Sequence, residues 1–219
     1  MRFHAKPQNT EGKAWSLVLQ LIDEAAADGR EKFSPGVDMP VDLWPELVTL
    51  PASIAKLTAA RELELYGSHL TAIPPEIGEM SSLRRFDPYT SRRLHWFPYE
   101  ITRCPELVYS RVSTRHLYGN YKHRLPFPRL PATLPASLTP RQCSVCAGPY
   151  PHAGPMQRWI SLWVGTDVLP LLVHACSDEC IAALPPPPGD PPDGWGQRAA
   201  YVDHPHEGGR DLRQPTPEY

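Results

Sequence analysis

The sequence predicts an α/β fold: a short solenoid of repeated units, led by an amphipathic capping helix and closed behind by a small α+β module held together through cysteines. Three observations carry this. A five-residue motif returns at intervals of 23 and 24 residues, a helix-periodic stretch precedes its first copy, and two close cysteine pairs follow its last.

Composition bounds the alternatives. The 219 residues hold 22 basic and 24 acidic side chains, a formal charge of -2, which does not point to nucleic acid or an anionic membrane. Hydrophobic residues make up 41% of the chain, enough for a folded core, while 28 prolines demand many turns and extended segments. The start, Met1 to Pro7, lacks the apolar core of a secretion signal, and Val168 to Val173 is far short of the ~20 residues of a membrane span. The expected setting is the cytoplasm, with no membrane partner. Five cysteines cannot all pair, which suits a metal in a reducing compartment better than a disulfide framework.

The first element is a helix from Ala14 to Asp28. Trp15, Val18, Ile22 and Ala25 recur at steps of three and four, Leu21 lies beside them, and Gly29 ends the run. Residues 30 to 49 carry Pro35-Gly36, Pro40 and Pro45 and read as loop with one short strand.

The repeats follow, from Leu50 to Leu117. Leu50-Pro51-Ala52-Ser53-Ile54 is answered by Ile73-Pro74-Pro75-Glu76-Ile77 and by Phe97-Pro98-Tyr99-Glu100-Ile101. Leu57, Met80 and Cys104 align after these motifs, as do Ala60, Leu83 and Leu107. Leu63 with Leu65, Phe86 with Pro88, and Ser110 with Val112 take the inward places of three short strands, and Leu70, Leu94 and Leu117 close the units. Leu134-Pro135-Ala136-Ser137-Leu138 echoes the first motif and marks a last turn. Residues 118 to 130 fit no unit. One unit cannot bury its own apolar side, so neighbours stack and the ends need caps.

This pattern resembles the leucine-rich repeat family of short bacterial type. The resemblance implies a strand and a proline-containing turn in each unit, and protein binding on the concave strand face. Ser68 stands where the family carries a turn asparagine, and Pro88 removes an N–H from the second strand, which predicts a distortion, an edge or a bulge there. Cys104 aligns with Leu57 and Met80 and reads as core.

Residues alternating with the buried ones face outward. Arg61, Glu64 and Tyr66 on the first strand, Arg84, Asp87 and Tyr89 on the second, and Tyr109 and Arg111 on the third form a stripe rich in tyrosine and arginine, as at protein interfaces. The alternative is a nucleic-acid surface built from Arg92, Arg93, His95 and Trp96 with the basic and aromatic run from Arg115 to Arg124.

Cys143-Ser144-Val145-Cys146 and Cys176-Ser177-Asp178-Glu179-Cys180 place two thiols on each of two short elements, the supply tetrahedral zinc needs. Between them lie two apolar runs, Trp159 to Gly165 and Leu169 to His174, joined by Thr166-Asp167, and Ile181 to Leu184 continues a helix started at Cys176 or Ser177. Knuckle, hairpin and helix resemble the treble-clef class of zinc modules. Reduced buried thiols and a redox Cys-x2-Cys stay open beside zinc, with His152 and His174 as reserve ligands and Arg141 and Arg158 to offset the charge.

The expected organisation is a repeat domain with its cap over residues 1–133, a zinc module over 134–200 and a disordered tail over 201–219, with polyproline II from Pro185 and Trp195 as an anchor. No Gly-rich phosphate loop, His-Glu-x-x-His or Gly-x-Ser-x-Gly occurs. The expected function is a non-enzymatic protein-binding scaffold with structural zinc, with an enzymatic site assembled from distant residues the remaining alternative.

Overall fold

The apolar stripe of the first element folds as α1 (Lys13–Asp28), which buries Ala14, Val18, Leu21, Ile22 and Ala25. Gly29 ends it in the left-handed region and returns its N–H to the Ala25 carbonyl. The structure is a computed structural model that describes residue 4 and residues 6–113 and 134–185. The expectations for Leu117, the 118–130 stretch, the run from Arg115 to Arg124, Trp195 and the 201–219 tail lie outside those residues, as does the polyproline stretch beyond Pro185. After α1 come β1 (Lys32–Phe33), a single turn α2 (Pro35–Asp38) and a 3-10 turn at Trp44–Glu46.

The three proline motifs run into 3-10 turns at Ala52–Lys56, Pro75–Glu79 and Tyr99–Arg103. Proline fixes the extended entry to each, and too few residues remain before the next strand for a full helix. β2 (Glu62–Glu64) follows the first turn and β3 (Arg85–Asp87) the second; β4 (Phe97–Pro98) precedes the third and β5 (Tyr109–Ser110) follows it. β1, β2, β3 and β5 form one parallel sheet in that order. Glu62 lies opposite Arg85 and Arg85 opposite Tyr109, so neighbours across the sheet are 23 and 24 residues apart in the chain. Side chains at equal offsets therefore stack: Leu57, Met80 and Cys104 are buried, as are Ala60 with Leu83, and Leu63 with Phe86. Leu107 is only half-buried. α1 packs on the Ala52–Lys56 turn, and Lys56 pairs with Asp23 at 2.6 Å.

Pro88 acts differently from the expected edge or bulge. β3 lies between β2 and β5 and simply stops at Asp87, because the next residue has no N–H to continue the ladder. The turn beyond it is held by hydroxyls: Ser91 Oγ donates to the Leu65 carbonyl at 2.8 Å and lies 2.6 Å from Ser68 Oγ. Just before these serines, Gly67 and Thr90 both take left-handed backbone, φ 66° and 64°. Glycine does so without cost, whereas a β-branched residue is strained there. The Thr90 hydroxyl is also buried without a hydrogen-bond partner. Thr90→Gly is therefore expected to stabilise the protein by about 1 kcal/mol, the relieved strain exceeding the added chain entropy of the unfolded state. Equilibrium urea unfolding measures this, and an unchanged or lower midpoint would contradict it.

The C-terminal part is an antiparallel hairpin, β6 (Met156–Val164) and β7 (Asp167–Ala175), followed by α3 (Asp178–Ala182). Its turn is Gly165-Thr166 rather than Thr166-Asp167, since Asp167 already pairs with Val164. β4 adds to β7, giving a second sheet ordered β4-β7-β6. The hairpin tip caps the last parallel strand. Ser110 Oγ donates to the Val164 carbonyl at 2.7 Å, and Thr166 Oγ1 donates to the Ser110 carbonyl at 2.7 Å. Val164, Leu169, Leu171 and Val173 share one core with Ile54, Leu63, Phe86 and Phe97. A smaller cluster sets Trp96 edge-on against Trp159 with Ala72, Leu138 and Leu172, and the echo motif contributes its 3-10 turn at Ala136–Leu138. The molecule is thus a small α/β assembly with a parallel sheet and a C-terminal four-cysteine cluster. No described helix is long and apolar enough to cross a membrane.

Candidate functional site: a four-cysteine centre and an aromatic sheet face

Cys143 and Cys146 sit on a tight turn whose geometry the backbone completes. The Cys143 N–H donates to the Gly148 carbonyl, and the N–H groups of Val145 and Gly148 point at the sulfurs of Cys143 and Cys146, each at 3.4 Å. Ala147 takes left-handed backbone to allow it. Ser144 locks this turn to β7: its N–H donates to the His174 carbonyl at 2.8 Å and its Oγ accepts from the His174 N–H at 3.0 Å. Cys176 follows directly after β7, and Ser177 caps α3 by accepting the Cys180 N–H. The helix therefore starts from Ser177 rather than Cys176.

The four sulfurs lie within 4.8 Å of one another, with Cys146 to Cys176 and Cys176 to Cys180 both at 3.6 Å. Tetrahedral zinc with Zn–S bonds of about 2.3 Å separates its sulfurs by about 3.8 Å. No disulfide joins the five cysteines. The donor set fits the soft chemistry of Zn2+, and the cluster matches a structural zinc site. Burial disfavours the Cys143 thiolate, but N–H groups of Cys146, Val145 and Cys176 outweigh it and bring the thiol down to about 6. Cys176 is pushed up to about 12, chiefly by hydrogen bonding with Cys146 and Cys180, and Cys180 is also raised. Four adjacent thiolates repel one another, and a divalent ion bound between them would relieve that repulsion.

His152 and His174 do not join the cluster. His174 is buried, bonded through Nε2 to Gln157, and kept neutral because burial pushes its pKa down to about 4. Arg158 bonds the Gln157 carbonyl and Arg141 is exposed. The guanidinium that reaches the knuckle is Arg103, which donates to the Ser144 carbonyl at 2.9 Å and the Cys143 carbonyl at 3.4 Å. Chain order concealed it, since Arg103 lies 40 residues before the first ligand. Cys104 donates to the Ile77 carbonyl, and burial pushes its thiol up to about 12, as befits a core residue. Four protein donors fill a tetrahedral ion, and the described residues contain no other cluster suited to a metal, so no open position for water or substrate follows from this centre.

The solvent side of the parallel sheet carries three rows. Lys32, Glu62, Arg85 and Tyr109 form the first by register; Glu64 and Asp87 form the second, joined by Arg111 through its ion pair with Asp87; the neighbouring rings of Tyr66 and Tyr89 form the third. Asp87 does not face solvent as expected. It is 1% exposed and binds Arg85 at 3.0 Å and Arg111 at 2.8 Å. Desolvation works against its anion, yet the two guanidinium groups hold its carboxyl below the ordinary value. Those arginines in turn lie over rings, Arg85 over Tyr109 and Arg111 over Tyr89, at 4.4 and 4.6 Å from the centroids. Glu64 pairs with Lys32 at 2.8 Å. Arg61 and Arg84 lie one residue before the strands and pair with Glu31 and Glu106. Tyr66 and Tyr89 stay 60% and 41% exposed with ring centroids 5.9 Å apart.

Of the groups assigned to a nucleic-acid surface, Trp96 is buried against Trp159 and His95 is buried, while Arg92 and Arg93 are exposed. No protein-family model matches the chain, and no curated protein matches it at a significant level.

Proposed function

We propose that this protein is a non-enzymatic protein-binding scaffold: a short leucine-rich repeat solenoid, capped in front by α1, whose concave sheet face docks a partner while a treble-clef-like zinc module at Cys143, Cys146, Cys176 and Cys180 holds the other end. The observation that carries it is the exposed Tyr66–Tyr89 pair beside arginines already fixed on Asp87. Large rings and pre-ordered guanidinium groups lose little entropy on binding, which is why they dominate interface energetics. Repeat-period stacking of the three 3-10 turns and the parallel strands supports the family reading. The division at 133/134 then separates two sequence modules that fold on a shared core. A nucleic-acid role is disfavoured by the pairing of the sheet's basic groups with carboxylates and by the burial of Trp96.

A photo-crosslinking residue in place of Tyr66 should capture a recurrent protein in extracts of the native source. Its affinity for the purified chain should fall at least about ten-fold in the Tyr66→Ala/Tyr89→Ala double variant, with zinc content and unfolding midpoint retained. Equal affinity in that variant would sink the reading.

A further inference from the structure

Where the 3-10 turns stack, a cavity of about 450 Å³ opens between those turns and the segment leading into Cys143. Ala52, Pro75 and Pro140 give it apolar walls, Glu76, Glu79 and Glu100 supply carboxylates, and the exposed Arg141 stands at its edge with Gln142. Glu100 is 2% exposed, and neither of its carboxylate oxygens has a partner in hydrogen-bond geometry. Glu76, at the equivalent place one turn earlier, also has a buried oxygen without a partner. No described lysine, arginine or histidine pairs with either carboxylate. Arg103, which also lines the cavity, is instead turned onto the Cys143 and Ser144 carbonyls.

The Ser144 hydroxyl and a backbone N–H lie close enough to favour the Glu100 anion without reaching good hydrogen-bond geometry; a buried carboxylate so weakly satisfied is costly, and a second one beside it adds repulsion. Burial chiefly, and the Glu76 charge in smaller part, raise the Glu100 carboxyl above its ordinary value, with Ser144 and Arg103 acting the other way. The fold therefore holds one deeply buried and one half-buried acid, neither ion-paired with a described residue, beside an opening of mixed polar and apolar lining. The ligand this fits has an apolar stem and a hydrogen-bonding cationic head, since the head meets the carboxylates while the stem covers the proline walls. A bare metal ion fits less well, because these carboxylates do not converge as a metal-ligand cluster does.

We propose that this cavity binds an organic cation on an alkyl stem, the guanidinium or ammonium of an arginine- or lysine-like group, with Glu100 and Glu76 as its counter-charges. The proposal stands independently of the sheet-face function.

The test titrates the zinc-loaded full chain with agmatine and, in a second arm, with N-acetyl-arginine methylamide, followed by backbone amide shifts. N-acetyl-glutamine methylamide is the uncharged control. Both cations should give saturable shifts around Glu100 and Gln142 with millimolar affinity, weakened at least about five-fold by Glu100→Gln and by Glu76→Gln. Tighter agmatine would identify a free small molecule as the source, and tighter capped arginine a side chain of another protein. Absence of saturable shifts up to about 50 mM, equal affinity in both glutamine variants, or equal binding of the uncharged control would each overturn the proposal. Glu100→Gln keeps the side-chain volume and removes a buried charge; should it fail to fold, Glu76→Gln alone decides between the same outcomes.

Discussion

Cys143→Ser is expected to abolish stoichiometric zinc binding and to destabilise the protein by about 5 kcal/mol or more, because the free energy of binding a structural zinc adds directly to that of folding. Three thiols and a hydroxyl bind zinc far more weakly than four thiols, since the hydroxyl is a harder and less readily ionised donor. The loss should not stay local. Cys143, Ala175, Cys180 and Leu184 belong to the same core as Ile22, Leu63 and Phe97, and β4 is hydrogen-bonded to β7. Removing the metal with a chelator should therefore lower the midpoint of the parallel-sheet part as well. Thermal unfolding with and without chelator, alongside metal content by mass spectrometry, checks both. Cys104→Ala is the matched control: it should retain one zinc per chain, since its sulfur faces the Ile77 carbonyl. A single unfolding transition unmoved by chelator would show that the centre does not support the fold.

Gly165→Ala is expected to cost about 3 kcal/mol while leaving zinc in place. Two penalties act at one atom. The backbone there is left-handed at φ 60°, and an added Cβ would stand 2.5 Å from the Tyr109 carbonyl carbon and 2.6 Å from the Ser110 nitrogen. Backbone cannot swing aside as a side chain can, so the hairpin tip must lift from β5. That breaks the bonds of Ser110 with Val164 and of Thr166 with Ser110, and uncovers the last parallel strand. The cysteines lie at the opposite end of β7, which is why metal content should persist. Urea unfolding of the zinc-loaded variant reads the cost, and a change within about 0.5 kcal/mol would mean the tip is not a cap.

Much of this was legible in the sequence because it depends on offsets along the chain. Leu57, Met80 and Cys104 could be aligned by counting, and they stack because parallel strands in register convert equal offsets into contact. The helix Lys13–Asp28 followed from its period, and the four cysteines from their pairing in close spacings. Asp87 shows where counting stops: alternation predicts a solvent-facing side chain, but Arg85 and Arg111 close over it and leave it buried. Pro88 shows the same limit, since a missing N–H predicts an interrupted ladder without saying whether the strand bulges or ends. Trp96 could not be assigned between stacking on a ligand and packing on Trp159, because the two rings are 63 residues apart in the chain.

The sequence by itself determined the local elements and the chemistry of the cysteines, since periodicity, proline positions and ligand type act over a few residues. Only the tertiary structure decided that the zinc hairpin shares a sheet with Phe97–Pro98 and seals β5 through Gly165, that Arg103 serves the knuckle, and that Glu76 and Glu100 share a cavity. These are contacts between segments distant in the chain, fixed by which apolar faces could be buried together, and no pattern within either segment encodes the other's position.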